Sequence, residues 1–326
     1  MKFPKYFPRL FHPSVYQGKR KARNYFEGWY YKHVDAPGKQ IWSIIFGISF
    51  SEDSHSFIQV IEGKTGKTEY FRFKKEKFSF EKKKLGITIA ENSITGQSIT
   101  LDLKGKLFQI QGTLHYQNTS SFPQKILSPG IMGWYTYAPF MECYHGVVSM
   151  NHTLQGMLTI NNTEIDFSGG KGYIEKDWGR SMPSDWIWLQ CNHFEEDPEM
   201  SMMVSIARIP WLTGHFPGFL SFIQHKGKVW RFATYKNTKI ASLEINDSHV
   251  EFVLENKNAM LWVEVKRAGS GDLKAPVQGK MDRKIAESLD ASVEIILSEK
   301  NGNILFQGKG KHAGLEVVGD VSQYIR

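Results

Sequence analysis

The chain has 326 residues, room for about two domains of roughly 150 residues each, and its 29 glycines and 13% aromatic content suit a turn-rich β protein. No apolar run approaches the roughly 18 residues that span a bilayer, since the longest, Ile41–Phe50, is interrupted by Ser43, Gly47 and Ser49. Two cysteines, Cys143 and Cys191, exclude a disulfide framework, and the start Met1–Lys5 lacks the charged-then-apolar pattern of a secretion signal, so the expected location is cytoplasmic.

In chain order, Phe71-Arg72-Phe73 and Phe78-Ser79-Phe80 alternate with period two, as half-buried strands do. Much of the net charge of +8 gathers around them, in Lys74, Lys75, Lys77, Lys82, Lys83 and Lys84. This Lys74–Lys84 hairpin is either a solvated edge guarded against strand pairing or a peripheral contact with an anionic membrane surface. No nucleic-acid motif accompanies the lysines, so nucleic acid is not an expected partner. Leu158–Ile160, Asn161-Asn162 and Thr163–Phe167 read as a tight hairpin, and Asn301-Gly302 between Val293–Leu297 and Ile304–Gln307 is the strongest hairpin signal. Met281–Leu289, apolar at 281, 285 and 289, is the one expected amphipathic helix.

The chain repeats itself. Ser56-Phe57-Ile58-Gln59 returns as Ser221-Phe222-Ile223-Gln224. Trp29–Lys32 and Ile44–Ile48 precede the first copy as Trp186–Leu189 and Met203–Ala207 precede the second, and Phe167–Gly172 corresponds to Phe306–Gly310. The expected fold is all-β: two tandem lipocalin-like antiparallel barrels from an internal duplication, with one or two short helices. Residues 1–180 form the first barrel, carrying the presumed active site, and 181–326 the second. A barrel of this size encloses one apolar ligand.

Long blocks are more specific than these short matches. Phe26–Tyr30, Gly130–Gly146, Gly172–Gly179, Trp186–Phe194, Ile209-Pro210-Trp211 and Ala313–Asp320 resemble the tocopherol cyclase family, over nearly the whole chain from Phe11. The resemblance implies a lipocalin-like double barrel and closure of a chromanol ring on a prenylated hydroquinone. Without the transit peptide of the plant members, the chain looks like a bacterial-type member. Tyr173–Gly179 is also similar to a motif of the carotenoid hydratases, where an aspartate matches Glu175 and an asparagine matches Asp177. Those enzymes likewise begin by protonating an alkene.

Residues two apart on a strand share a face, so Tyr173, Glu175 and Asp177 point one way. If that way is a barrel interior, desolvation and mutual repulsion keep one carboxyl protonated near neutral pH, as alkene protonation requires. The alternative is a structural ion pair, for instance Asp177 with Arg180. Glu142 and His145 are either a satisfied core pair or the base that deprotonates an attacking phenol. Glu27 poses the same question. Gln190 and Asn192 share the face of Trp186 and Trp188 and could bind a quinol oxygen. With Trp29, Tyr31, Trp134, Tyr135, Tyr137, Tyr144, Trp178 and Trp211 the aromatics offer an apolar wall whose electron-rich faces stabilise a carbocation. Cys191-x-His193 lacks the companion spacing of a metal site, so no metal is expected, and the chemistry calls for no cofactor. The leading expectation is an isomerase acting on a prenylated quinol or similar isoprenoid. The alternatives are a non-catalytic lipid or prenylquinone carrier and an alkene hydratase.

Overall fold

The computed structural model describes residues 11–18, 23–139, 141–211 and 214–321. Met1–Lys5 and Phe140 of the quoted segments lie outside them, as does the side chain of Trp211.

The chain divides into two compact units. The first holds residues up to Glu62, Lys67–Met182 and Leu273–Lys284; the second holds Gly63–Gly66, Pro183–Asp272 and Ile285 onward. The first unit begins with β1 (Tyr25–Val34), β2 (Ile41–Phe50), β3 (His55–Glu62) and β4 (Thr68–Lys74). Five more strands follow: β5 (Phe78–Phe80), β6 (Gly86–Ile89), β7 (Asn92–Thr95), β8 (Ser98–Lys104) and β9 (Gln109–Ser120). It ends with β10 (Cys143–Ile160), β11 (Thr163–Asp166) and β12 (Lys171–Gly179). These make one antiparallel sheet in the order β4-β3-β2-β1-β12-β10-β9-β8-β7-β6-β5, with β11 paired to β10.

The second unit carries β13 (Trp186–Cys191), β14 (Ser201–Trp211), β15 (Gly214–His225) and β16 (Lys228–Ala233). Then come β17 (Lys239–Ile245), β18 (His249–Glu255) and β19 (Ala259–Lys266). β20 (Ser270–Val277), β21 (Lys280–Glu299) and β22 (Ile304–Val318) complete the chain. Their order, β16-β15-β14-β13-β22-β21-β19-β18-β17, repeats that of the first unit. The repeated segments fall on equivalent strands: 56–59 on β3 and 221–224 on β15, 29–32 on β1 and 186–189 on β13. The fold is thus a duplicated lipocalin-like β architecture, each sheet wrapped round its own apolar cluster.

Two local expectations change. Met281–Leu289 is not a helix but part of β21, with Met281, Ile285 and Leu289 buried. A spacing of four satisfies both the helical period and the strand period of two, and the pairing of β21 with β20, continued by β22 at Glu287 and Ser288, decides between them. The lysine-rich stretch is not a single hairpin either. β4 pairs with β3 and β5 with β6, so Lys75–Lys77 form a 3₁₀ turn between the two ends of the sheet, while Lys82–Lys84 lie in the β5–β6 turn. Both Asn-containing hairpins form: Ile160 pairs with Thr163 across Asn161 and Asn162, whose φ values are 49° and 63°, and Glu299 N–H donates to the Asn303 carbonyl. Among the described residues no helix is long and apolar enough to cross a membrane. Cys143 and Cys191 are free thiols.

Candidate functional site

Strand β12 is buried on both faces, and the two faces differ. Ile174 joins the apolar cluster of the first unit with Trp29, Tyr31, Ile44, Phe46 and Val60. Paired residues on neighbouring strands share a face, and Tyr31 and Ile44 lie in register with Ile174. Tyr173, Glu175 and Asp177 therefore do point one way together, but onto the face opposite that core. The expectation of a barrel-interior carboxylate pair is corrected accordingly: the interior places on β12 are taken by Ile174 and Lys176.

On the outer face, His145 of β10 lies in register with Asp177. Its Nδ1 is 2.8 Å from Asp177 Oδ1, and its Nε2 is 3.5 Å from Glu175 Oε2. Tyr173 donates its hydroxyl to Glu175 Oε2 at 2.7 Å. The Cys143 thiol faces Asp177 Oδ1 at 3.9 Å. Burial opposes charge on His145, but the two carboxylates outweigh it and push the imidazole up to about 9. The proton thus rests on the imidazole at neutral pH. Nδ1–H is spent on Asp177, whereas Nε2 is buried and hydrogen-bonded to nothing. The same three side chains bring donor atoms within 4.8 Å of one another, a spacing a divalent cation could use. Both ring nitrogens already face carboxylate oxygens, the arrangement of a shared proton, and a cation would have to displace that proton.

The hairpin tip of β20 and β21 positions this face. Gln59 Nε2 donates to the Lys274 carbonyl at 2.9 Å and its Oε1 accepts from Lys274 N–H at 2.7 Å. Gly279 N–H donates to the Arg180 carbonyl and Met182 N–H to the Pro276 carbonyl, which ties the tip to the strand end that carries Asp177. Gly279 must be glycine: its φ is 79° and a Cβ would sit 2.6 Å from the Phe50 carbonyl oxygen.

The remaining sequence candidates disperse. Glu27 is fully buried on the core side, 3.3 Å from Lys176 Nζ, and accepts from the Tyr25 hydroxyl at 2.6 Å. Burial raises its carboxyl, against the opposing pull of Lys176. Lys176 also lies over the rings of Trp29 and Trp178, at 4.6 and 4.8 Å. Trp29 is pinned by donating Nε1–H to the Ser14 carbonyl. Tyr144 stacks on Trp178 and donates its hydroxyl to the Ala138 carbonyl. Glu142 is half-buried and does not join the His145 group; burial raises its carboxyl, with a Ser181 hydrogen bond opposing. Trp134 and Tyr137 are exposed, with Trp134 stacked on Tyr135. Trp186, Trp188, Gln190 and Asn192 are buried in the second unit, where Trp186 donates Nε1–H to Glu316.

Sequence reasoning missed three groups. Tyr30 lies opposite Glu175 on β1, and Lys176 pairs with Glu27; only strand register brings either about. A buried polar cluster on the core side joins His33, Tyr116 and His152. His33 Nε2 bonds the Tyr116 hydroxyl at 2.8 Å, and His152 Nδ1 bonds Ser149 Oγ at 3.0 Å. Burial pushes both imidazoles down to about 3, so both are neutral.

A sequence profile described as tocopherol cyclase-like matches residues 110–319. Tocopherol cyclase of Zea mays, a chloroplastic protein, is 25% identical over 211 residues, 57% of this chain and 41% of that one. A probable tocopherol cyclase of Oryza sativa is 26% identical over 149 residues, 44% of this chain and 31% of that one. The chain thus aligns with less than half the length of these relatives. Among solved structures, CghA with Sch210972 superposes with a TM-score of 0.55 at 10% identity, covering 90% of this chain and 88% of that one. Kievitone hydratase from Nectria haematococca gives 0.51 at 8% identity, with coverages of 90% and 88%. At such identities the likeness speaks for the fold alone.

Proposed function

Because the chain belongs to the tocopherol cyclase-like family, we propose that its His145–Glu175–Asp177 cluster protonates an apolar, unsaturated substrate such as a prenylated quinol. The observation that carries this reading is the largely buried imidazole of His145, held protonated between two carboxylates, with Nε2–H in ion-pair range of Glu175 but in no hydrogen bond.

Asp177 orients the ring through Nδ1–H, and Tyr173 holds Glu175 in place. Nε2–H is the proton to be delivered. An apolar substrate arriving beside it strengthens the desolvation that already opposes the imidazolium, so the acid becomes stronger as the site dries. Transfer to the less substituted alkene carbon leaves a tertiary cation. Two carboxylates and a neutral imidazole then face it, a fixed negative field that stabilises the charge. The ring of Tyr30, in register with Glu175, adds an electron-rich face. Attack by the substrate's own phenol oxygen closes a ring, and loss of the phenol proton to the cluster restores it. General acid catalysis supplies about 10²–10⁴-fold, and holding oxygen against carbon must contribute at least as much.

The test is incubation with prenylated hydroquinones of several tail lengths, with product masses recorded. Cyclisation conserves mass, hydration adds one water, and a carrier returns its ligand unchanged. His145→Gln should lower turnover by at least 10²-fold with ligand affinity retained. Unaltered turnover in that variant removes His145 from the chemistry.

A further inference from the structure

One end of the first sheet gathers two features that the proposed chemistry does not use. Strand register traces this end without a break. Lys74 lies opposite His55, His55 opposite Ser49, Ser49 opposite Phe26, Phe26 opposite Gly179 and Gly179 opposite Cys143. The turn that follows Lys74 and the loop that precedes Cys143 therefore leave the sheet at the same end.

The turn side is strongly basic. Between residues 74 and 84 there are six lysines, all exposed, against Glu76 and Glu81. Phe80 is 36% exposed among them. The loop side is apolar. Residues 122–139 contain one charged side chain, Lys125, yet Ile126 is 56% exposed, Leu127 81% and Trp134 50%. These side chains are not on a frayed segment. Lys125 and Ser128 exchange backbone hydrogen bonds, Gly133–Tyr137 form a 3₁₀ helix, and the Tyr137 hydroxyl donates to the Ile126 carbonyl. The loop is folded in a way that holds Ile126 and Leu127 out in water. Segment 11–18 joins the two features: the Tyr16 ring lies 4.2 Å from that of Phe80, and Gln124 donates to the Phe11 carbonyl at 2.7 Å.

We propose that this end of the first unit docks on an anionic lipid bilayer, with Ile126, Leu127 and Trp134 entering the interface and the lysines of 74–84 meeting the headgroups. A protein partner would need acidic pockets shaped to the lysines. A bilayer needs only negative charge beside hydrocarbon, which is what a folded apolar tip flanked by six exposed lysines matches; of these, Lys84 forms an ion pair with Glu81 at 3.4 Å. The proposal does not rest on the reaction assigned above. Its consequence for it is that Asp177 and His145, close to the same strand ends, lie near the surface from which an apolar substrate would come.

The experiment is co-sedimentation of the full chain with large unilamellar vesicles of phosphatidylcholine, with and without 30% phosphatidylserine. Binding should require phosphatidylserine and weaken as salt rises. Lys82→Glu/Lys83→Glu/Lys84→Glu should weaken it by at least a hundredfold, given about fivefold for each positive charge alone. Ile126→Ser/Leu127→Ser should weaken it at least tenfold at any salt. Both variants replace exposed side chains outside the cluster, so circular dichroism and melting should match the wild type. Absent binding, or binding indifferent to both variants, overturns the proposal. So does a dimer in light scattering that Leu127→Ser dissociates while vesicles are ignored, which would assign the patch to a second copy of the chain.

Discussion

The placement of the proton on His145 can be tested by removing one of the charges that hold it there. In the folded protein the imidazole is pushed up to about 9, against an ordinary value of 6.5. That difference of about 2.5 units corresponds to about 3.4 kcal/mol favouring the imidazolium. Since the folded value lies above the unfolded one, the stabilisation is complete below about pH 6.5 and is lost as pH rises through 9. From pH 7 to pH 10 the loss amounts to about 2.5 kcal/mol. Asp177→Asn removes the nearer carboxylate, 2.8 Å from Nδ1, and leaves Glu175 at 3.5 Å from Nε2. Burial then opposes a single charge, and the imidazole should fall by roughly 1–3 units. Carbon-detected NMR titration of the imidazole Cε1 resonances reads this directly, with His145→Gln to identify the signal among the 11 histidines. Urea unfolding at pH 7 and pH 10 should show the wild type losing stability that His145→Gln never had. Turnover should likewise fall as pH rises through 9, and at lower pH in Asp177→Asn. A wild-type His145 that titrates at or below 6.5 would refute the placement of the proton and with it the assignment of the acid.

Two further outcomes follow from buried groups on the core side. His33 and His152 stay neutral down to about pH 3, so only the unfolded chain takes up their protons as pH falls below 6.5; unfolding free energy measured in urea should drop by about 2 kcal/mol per histidine between pH 7 and pH 5, and native-state NMR should show both rings still neutral at pH 5. Lys176→Met should cost about 3–5 kcal/mol by leaving Glu27 charged and buried without its partner, whereas Glu27→Gln/Lys176→Met should recover most of that loss in the same assay.

The duplication, the strand-rich fold and the shared face of Tyr173, Glu175 and Asp177 were all legible in the sequence. Each depends on a local rule: a repeated string, a period of two, Asn-Gly and Asn-Asn turns. Such rules hold whatever the strand later packs against. Where a local pattern is ambiguous, as at Met281, Ile285 and Leu289, sequence reasoning chose a helix and pairing with β20 and β22 made a strand. Which face of β12 meets the core is not a local property. Alternation says that two faces exist, and here both are buried, so hydrophobicity alone does not tell them apart.

What the tertiary structure alone decided is the company each charge keeps. Register across β10 and β12 sets His145 against Asp177, and so moves the expected proton from a carboxyl to an imidazole. Register across β1 and β12 sets Glu27 beside Lys176, and turns a candidate base into half of a buried ion pair. Positions 145 and 177 are separated by 32 residues, and 27 and 176 by 149, with no periodicity linking them. The energy of a buried charge depends on partners a few ångströms away, and those partners are chosen by strand pairing, not by spacing along the chain.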